Sequence, residues 1–295
     1  MRTFHGTLPA LVTPFTRDNR VNVTSLRKLV EHLLAKHIDG LYLCGSTGEG
    51  AFMSVAERQL VLDTVMPLVH GRVPVIVHVG AAAIGDAILL AQHARANGAA
   101  GISSILPPVI YEPQGVVAYY ETLAGAVPDM PFFPYLFGDT RDAVSLMRDL
   151  LHIPNLAGTK YFGANMYEMN QIIAMRSNDW TVFSGMDEQC LFATMFGAHG
   201  TIGSTLNLMP GVYRIIRHCV ETGDFARGLD LQKRANRVID ILVAHGFAGA
   251  LKAALDFLGF ECGDPRVPNL PLPDSKRDDL RAALESVGFF ELAAM

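Results

Sequence analysis

Residues 73–108 read VPVIVHVGAAAIGDAILLAQHARANGAAGISSILPP, two short apolar runs either side of a segment with helical spacing. The runs, VPVIVHVG from Val73 and GISSILPP from Gly101, end in Gly, Pro or small residues and have strand length. The segment between them is too long for a hairpin turn, and a parallel pair of strands needs a crossover of about a dozen residues or more, usually a helix. One such strand, helix, strand unit predicts a parallel sheet.

The same unit recurs along the chain. Further strand-like runs begin at Gly6, Gly40, Pro131, Leu156, Trp180 and Gly200, making eight in all. Amphipathic stretches follow them: VTSLRKLVEHLLAKH after Asn22, SVAERQLVLDTVMPLV from Ser54, and later examples as far as GVYRIIRHCVETG from Gly211. Ser54 and Glu57 have the spacing of a capping box, in which each side chain takes an N–H left unpaired at a helix start. Eight units of this kind close most simply into an α/β fold of the (β/α)8 TIM-barrel type, with a doubly wound open sheet as the alternative. After Gly223 the spacing is helical only. We therefore assign residues 1–222 to the barrel and 223–295 to a C-terminal helical extension packed on it.

Composition narrows the partners. Half the residues are apolar (50%) and 18% are charged, enough to bury a large core. The formal net charge is −5 and no run of Lys or Arg is present, which argues against nucleic acid. No apolar run reaches the roughly 18–20 residues that span a bilayer, so the expectation is a soluble, cytoplasmic protein with no membrane partner. Cys44, Cys190, Cys219 and Cys262 form no CxxC pair, and the ten histidines are scattered, so no metal site is expected. His78, inside VIVHVG, reads as a satisfied core histidine.

Barrel enzymes carry their chemistry at the carboxyl ends of the strands. The second run leads into GSTGEG, residues 45–50, where Gly lets the backbone approach a ligand and Ser46 and Thr47 offer N–H groups to an anion; such a turn is often only a turn. The fifth run ends near Tyr135, whose phenol either carries protons or caps the rim. The sixth ends at Lys160, the one lysine of six in a strand-like run. Burial there would lower its pKa and leave a neutral, nucleophilic amine able to form a Schiff base with a ketone; the competing reading is an ion pair with Asp187 or Glu188. The seventh run leads to those two carboxylates. The eighth leads to Gly203 and Ser204, at the place where many barrels hold phosphate, though no Lys or Arg stands beside it.

Together GSTGEG, Tyr135, the GTK of residues 158–160 and GTIGST of residues 200–205 resemble the class I aldolase family of N-acetylneuraminate lyase and dihydrodipicolinate synthase, over essentially the whole chain. The segments YEMNQI, SGMDEQCLFATMFGAHGTIGSTLNLM and LQKRANRVIDILVAHG look most like the N-acetylneuraminate lyase branch. The resemblance implies an enzyme, a pyruvate-dependent carbon–carbon lyase, without metal or organic cofactor. Lys160 would form the Schiff base with pyruvate or another 2-oxo acid, and Tyr135 would shuttle the proton of the substrate hydroxyl, helped by the substrate carboxylate. Ser46 and Thr47 would bind that carboxylate, while Gly185, Asp187, Glu188 and Ser204 would line the pocket for a sugar-like tail. A homotetramer is implied, with Tyr111 as the candidate contributed by a second subunit.

Three departures matter. Gly138 stands where the family's Tyr-x-x-Pro stretch has proline, and Arg141 is offset from the arginine of the synthase branch. Ile110 falls where the synthases carry a tyrosine, with Tyr111 one position away, which disfavours synthase activity. Phe162 replaces the hydroxyl residue that sialic acid lyases carry two positions after the lysine, implying a substrate less polar or shorter than sialic acid. Open alternatives are an aldolase or dehydratase for 2-keto-3-deoxy sugar acids and a barrel that senses a 2-oxo acid without turning it over.

Overall fold

All eight apolar runs are strands in the computed structural model, which describes residues 4–106, 112–137, 142–176 and 179–295. They are β1 (Gly6–Pro9), β2 (Leu41–Leu43), β3 (Val75–His78), β4 (Gly101–Ile105), β5 (Phe132–Phe137), β6 (Gly158–Phe162), β7 (Thr181–Ser184) and β8 (Gly200–Gly203). Between them lie α1 (Val23–Ala35), α2 (Val55–Val69), α3 (Ile84–Ala96), α4 (Pro113–Gly125), α5 (Ala143–Leu150), α6 (Met166–Ile173) and α7 (Cys190–Met195), with α8 (Pro210–Thr222) after β8. The start of α1 is held by Asn22, whose side chain accepts from the Ser25 N–H at 3.1 Å. At α2 the capping box is complete: Ser54 Oγ accepts from the Glu57 N–H at 3.2 Å and Glu57 accepts from the Ser54 N–H at 2.9 Å.

Strand pairing is parallel throughout, and the order runs β1-β8-β7-β6-β5-β4-β3-β2 without reversal. A doubly wound sheet reverses its order at a switch point, so that alternative is removed. The end strands meet through a parallel bridge between Ala10 and Tyr42, with the Leu11 N–H donating to the Tyr42 carbonyl at 2.9 Å, and the barrel closes there. Entry into β6 requires glycine: Gly158 has φ +147°, and a Cβ there would lie 1.7 Å from the Thr181 carbonyl oxygen.

Alternation along the strands divides the apolar residues into two sets. One set fills the space between strands and helices. The other fills the barrel: Leu8, Tyr42, Ile76, Phe133, Phe183 and Ile202 are fully buried, and Phe4 packs edge-on against Phe133 at 5.0 Å. Each such side chain contributes about 1.5–3 kcal/mol on burial. This plug fills the lower barrel, so polar chemistry is confined to the upper mouth.

The final helices are α9 (Phe225–Ala244), α10 (Phe247–Phe257), α11 (Arg277–Ser286) and α12 (Phe289–Ala294). A bend of 117° between α9 and α10 brings the start of α10 over the mouth. No single helix among the described residues is long and apolar enough to cross a membrane. The four cysteines are buried free thiols.

Candidate active site

Strands β5 and β6 build the centre of the site. Their register places Tyr135 opposite Lys160 and Phe137 opposite Phe162, so two inward-facing layers stand one above the other. The strands therefore continue two residues beyond Tyr135 and Lys160, where the sequence reading placed their ends. The extra turn of ladder is stabilised by the aromatic pair, whose rings stack at 4.8 Å and 21°.

Lys160 is buried at 4% exposure and forms no ion pair among the described residues. Its Nζ lies instead between two phenol rings, 4.1 Å from the centre of Tyr135 and 4.6 Å from that of Tyr42. Burial pulls the amine down to about 7 and the Asp187 charge pulls the other way, with burial the larger effect. A large fraction of this lysine is neutral at pH 7. Burial pushes the Tyr135 phenol up to about 12, against a smaller effect of the Ser46 hydroxyl, so the phenol keeps its proton at neutral pH.

Opposite this pair lie the turns after β2 and β8. The Thr47 and Ser204 hydroxyls meet at 2.6 Å and join the two turns across the mouth. The Ser46 and Thr47 N–H groups donate to no backbone carbonyl among the described residues, which leaves them available to a carboxylate. Asp187 and Glu188 follow β7 in a short turn of 3-10 helix. Asp187 Oδ2 accepts from the Thr205 N–H at 2.8 Å and from Thr205 Oγ1 at 2.7 Å, while Oδ1 is buried with no hydrogen-bond partner among the described residues. A Cβ on Gly203 would lie 1.3 Å from that Oδ1, so the carboxyl packs directly on the glycine. Burial raises Asp187 to about 6, against the Thr205 hydrogen bonds.

Ser46, Thr47, Tyr135, Lys160, Gly185, Asp187, Glu188 and Ser204 all line one cavity of about 360 Å³. Tyr111, Gly138 and Arg141 fall outside the described residues. His78 faces the barrel: its Nε2 accepts from the Ile105 N–H at 3.0 Å, and burial lowers its pKa, as for a satisfied core residue. Among the described residues no group of three His, Cys, Asp or Glu is arranged to hold a metal ion.

Two parts of the cavity were missed by sequence reasoning. Phe137, Ile239, Val243, Phe247 and Leu251 form apolar walls, four of them from α9 and α10. Glu49 and Lys252, both buried, pair at 2.7 Å on the cavity lining. Glu49 also accepts from the Arg266 N–H at 2.6 Å, and Lys252 Nζ lies 4.2 Å from the centre of the Phe15 ring. Lys252 had a visible signal: it interrupts the apolar run GALKAAL, the same kind of anomaly that singled out Lys160.

The arrangement offers a neutral amine for a carbonyl, a protonated phenol beside it, free N–H groups for a carboxylate, and a mixed polar and apolar channel beyond. The chain matches the model described as "Dihydrodipicolinate synthetase family" over residues 3–287. It is 34% identical over 287 residues to an N-acetylneuraminate lyase of Rhizobium meliloti (strain 1021), covering 96% of this chain and 95% of that one. Its structure is similar to a catalytic lysine mutant of the Ruminococcus gnavus sialic acid aldolase, with a TM-score of 0.93 at 26% identity and 98% of each chain covered. It is also similar to the Proteus mirabilis N-acetylneuraminate lyase, with a TM-score of 0.92 at 28% identity, covering 98% of this chain and 100% of that one.

Proposed function

The chain belongs to the dihydrodipicolinate synthetase family, and from that premise we propose that it is a class I aldolase that cleaves a 4-hydroxy-2-oxo sugar acid into pyruvate and an aldehyde, in the manner of N-acetylneuraminate lyase. The observation that carries this reading is the burial of the Lys160 amine between two phenol rings, with no carboxylate paired to it among the described residues. Its nitrogen adds to the C2 carbonyl, water leaves, and a protonated imine forms. Tyr135 takes the proton of the C4 hydroxyl as it passes its own to the substrate carboxylate, because a phenol held at about 12 cannot wait as phenolate. The C3–C4 bond breaks, its electron pair moves into the imine to give an enamine, and the aldehyde departs. Protonation at C3 and hydrolysis then release pyruvate and free Lys160.

Ser46 and Thr47 hold the carboxylate through N–H and hydroxyl groups, with Ser204 steadying Thr47. Gly185, Asp187 and Glu188 border the tail. The match to the two relatives runs along almost the full length of their chains, which supports an enzyme of the same kind. A homotetramer belongs to this reading, supported by the family resemblance and checked by light scattering on the purified protein. A second reading is an aldolase or dehydratase for 2-keto-3-deoxy sugar acids, which keeps the same Lys160 imine and differs in the tail.

Borohydride reduction in the presence of pyruvate tests the chemistry. The expected result is a mass gain confined to the peptide carrying Lys160, formed at a rate that climbs with pH and levels off above about 7, since only the neutral amine attacks. A labelled peptide other than that of Lys160, or none, refutes the mechanism. Pyruvate release from N-acetylneuraminate and from 2-keto-3-deoxy sugar acids separates the two readings.

A further inference from the structure

The layer above the reacting pair is aromatic. Phe162 follows Lys160 by two residues on the same face of β6, roughly 6.5 Å nearer the mouth, and Phe137 stands in the same relation to Tyr135 on β5. In the imine, C2 is bound to Lys160 and the C4 hydroxyl faces Tyr135, so C5, the first carbon of the departing tail, passes the stacked rings. Beside Phe162, just past the end of β7, Gly185 presents no side chain; a Cβ on it would lie 3.1 Å from the Phe162 Cβ and 3.2 Å from the Lys160 Cε. Asp187 offers little at this level, because one oxygen is engaged by Thr205 and the other is sealed against Gly203. Glu188 is left to meet polar groups farther out.

A phenyl ring neither donates nor accepts a conventional hydrogen bond, so a hydroxyl on C5 facing it loses water and gains nothing. We propose that Phe162, backed by Phe137, is a specificity-determining residue that selects 4-hydroxy-2-oxo acids carrying no hydroxyl on C5. The inference presupposes the Schiff-base reading above. The class of reaction that supplies such a substrate is one that has already removed oxygen from the carbon next to the future aldehyde.

Two aldehydes that differ by one hydroxyl at this carbon, propionaldehyde and lactaldehyde, provide the test in the condensation direction with pyruvate. Wild-type enzyme is expected to show the higher kcat/KM with propionaldehyde. Phe162→Thr is expected to move the ratio toward lactaldehyde by roughly tenfold, a change in which the intrinsic reactivities cancel, and Phe162→Leu to leave it nearly unchanged. Borohydride trapping with pyruvate is run on the same samples. A trapped imine with lactaldehyde preferred by the wild type, or with a ratio unmoved in an active Phe162→Thr enzyme, overturns the role of Phe162 alone. No trapped imine overturns the reading beneath it as well. The wild-type comparison stands even where a variant fails to fold.

Discussion

Replacing Lys160 by Met should abolish imine formation and make the protein more stable. An ordinary lysine amine titrates at 10.5, and burial brings this one to about 7. Between those values the folded chain binds fewer protons than the unfolded chain, so stability rises with pH across the window. The cost of holding Lys160 is complete below about 7 and vanishes above 10.5. At pH 7 it amounts to about 4 kcal/mol. Attraction of the ammonium to the Tyr42 and Tyr135 rings offsets about 1 kcal/mol of this. Met has nearly the length of the lysine stem and needs no solvation. Equilibrium urea unfolding of wild type and Lys160→Met at a series of pH values should show the variant ahead by about 3 kcal/mol at pH 7 and the gap closing toward pH 10. A gap that does not change with pH, or a less stable variant at pH 7, refutes the claim that this amine is held neutral by burial.

Two further outcomes follow from the same geometry. Tyr135→Phe should still trap pyruvate on Lys160 but slow cleavage by about 10²–10⁴, because only the proton relay is lost; equal loss of trapping and turnover in mass and rate assays speaks against a relay. Glu49→Gln should lower stability in urea by about 3–5 kcal/mol by leaving Lys252 buried without its counter-charge, and the double variant with Lys252→Met should recover most of that loss.

Much of the architecture was legible because strand and helix periods are local. Each of the eight runs contains its own strand, and Lys160 stood out as a cation where the neighbouring residues called for burial. The ends of β5 and β6 were misplaced by two residues because the stack of Phe137 on Phe162 depends on the register between strands, which neither strand states alone. The Glu49 to Lys252 pair was out of reach for a related reason. Its partners come from a turn after β2 and a helix near the chain's end, and the break Lys252 makes in an apolar run does not say which acid it meets. Asp187 was visible as a residue, but its commitment to Thr205 was not, since that depends on how β7 and β8 release their turns.

The contact of Glu49 with Lys252 and Arg266 has a bearing on synthesis at the ribosome. A nascent chain that has emerged only through Thr222 already holds every strand, Tyr135 and Lys160, yet Glu49 has no cation to face and the side of the cavity built by Phe247 and Leu251 is open to water. The mouth is therefore finished only by the last quarter of the polypeptide, which supplies both the counter-charge for Glu49 and the apolar wall beside it.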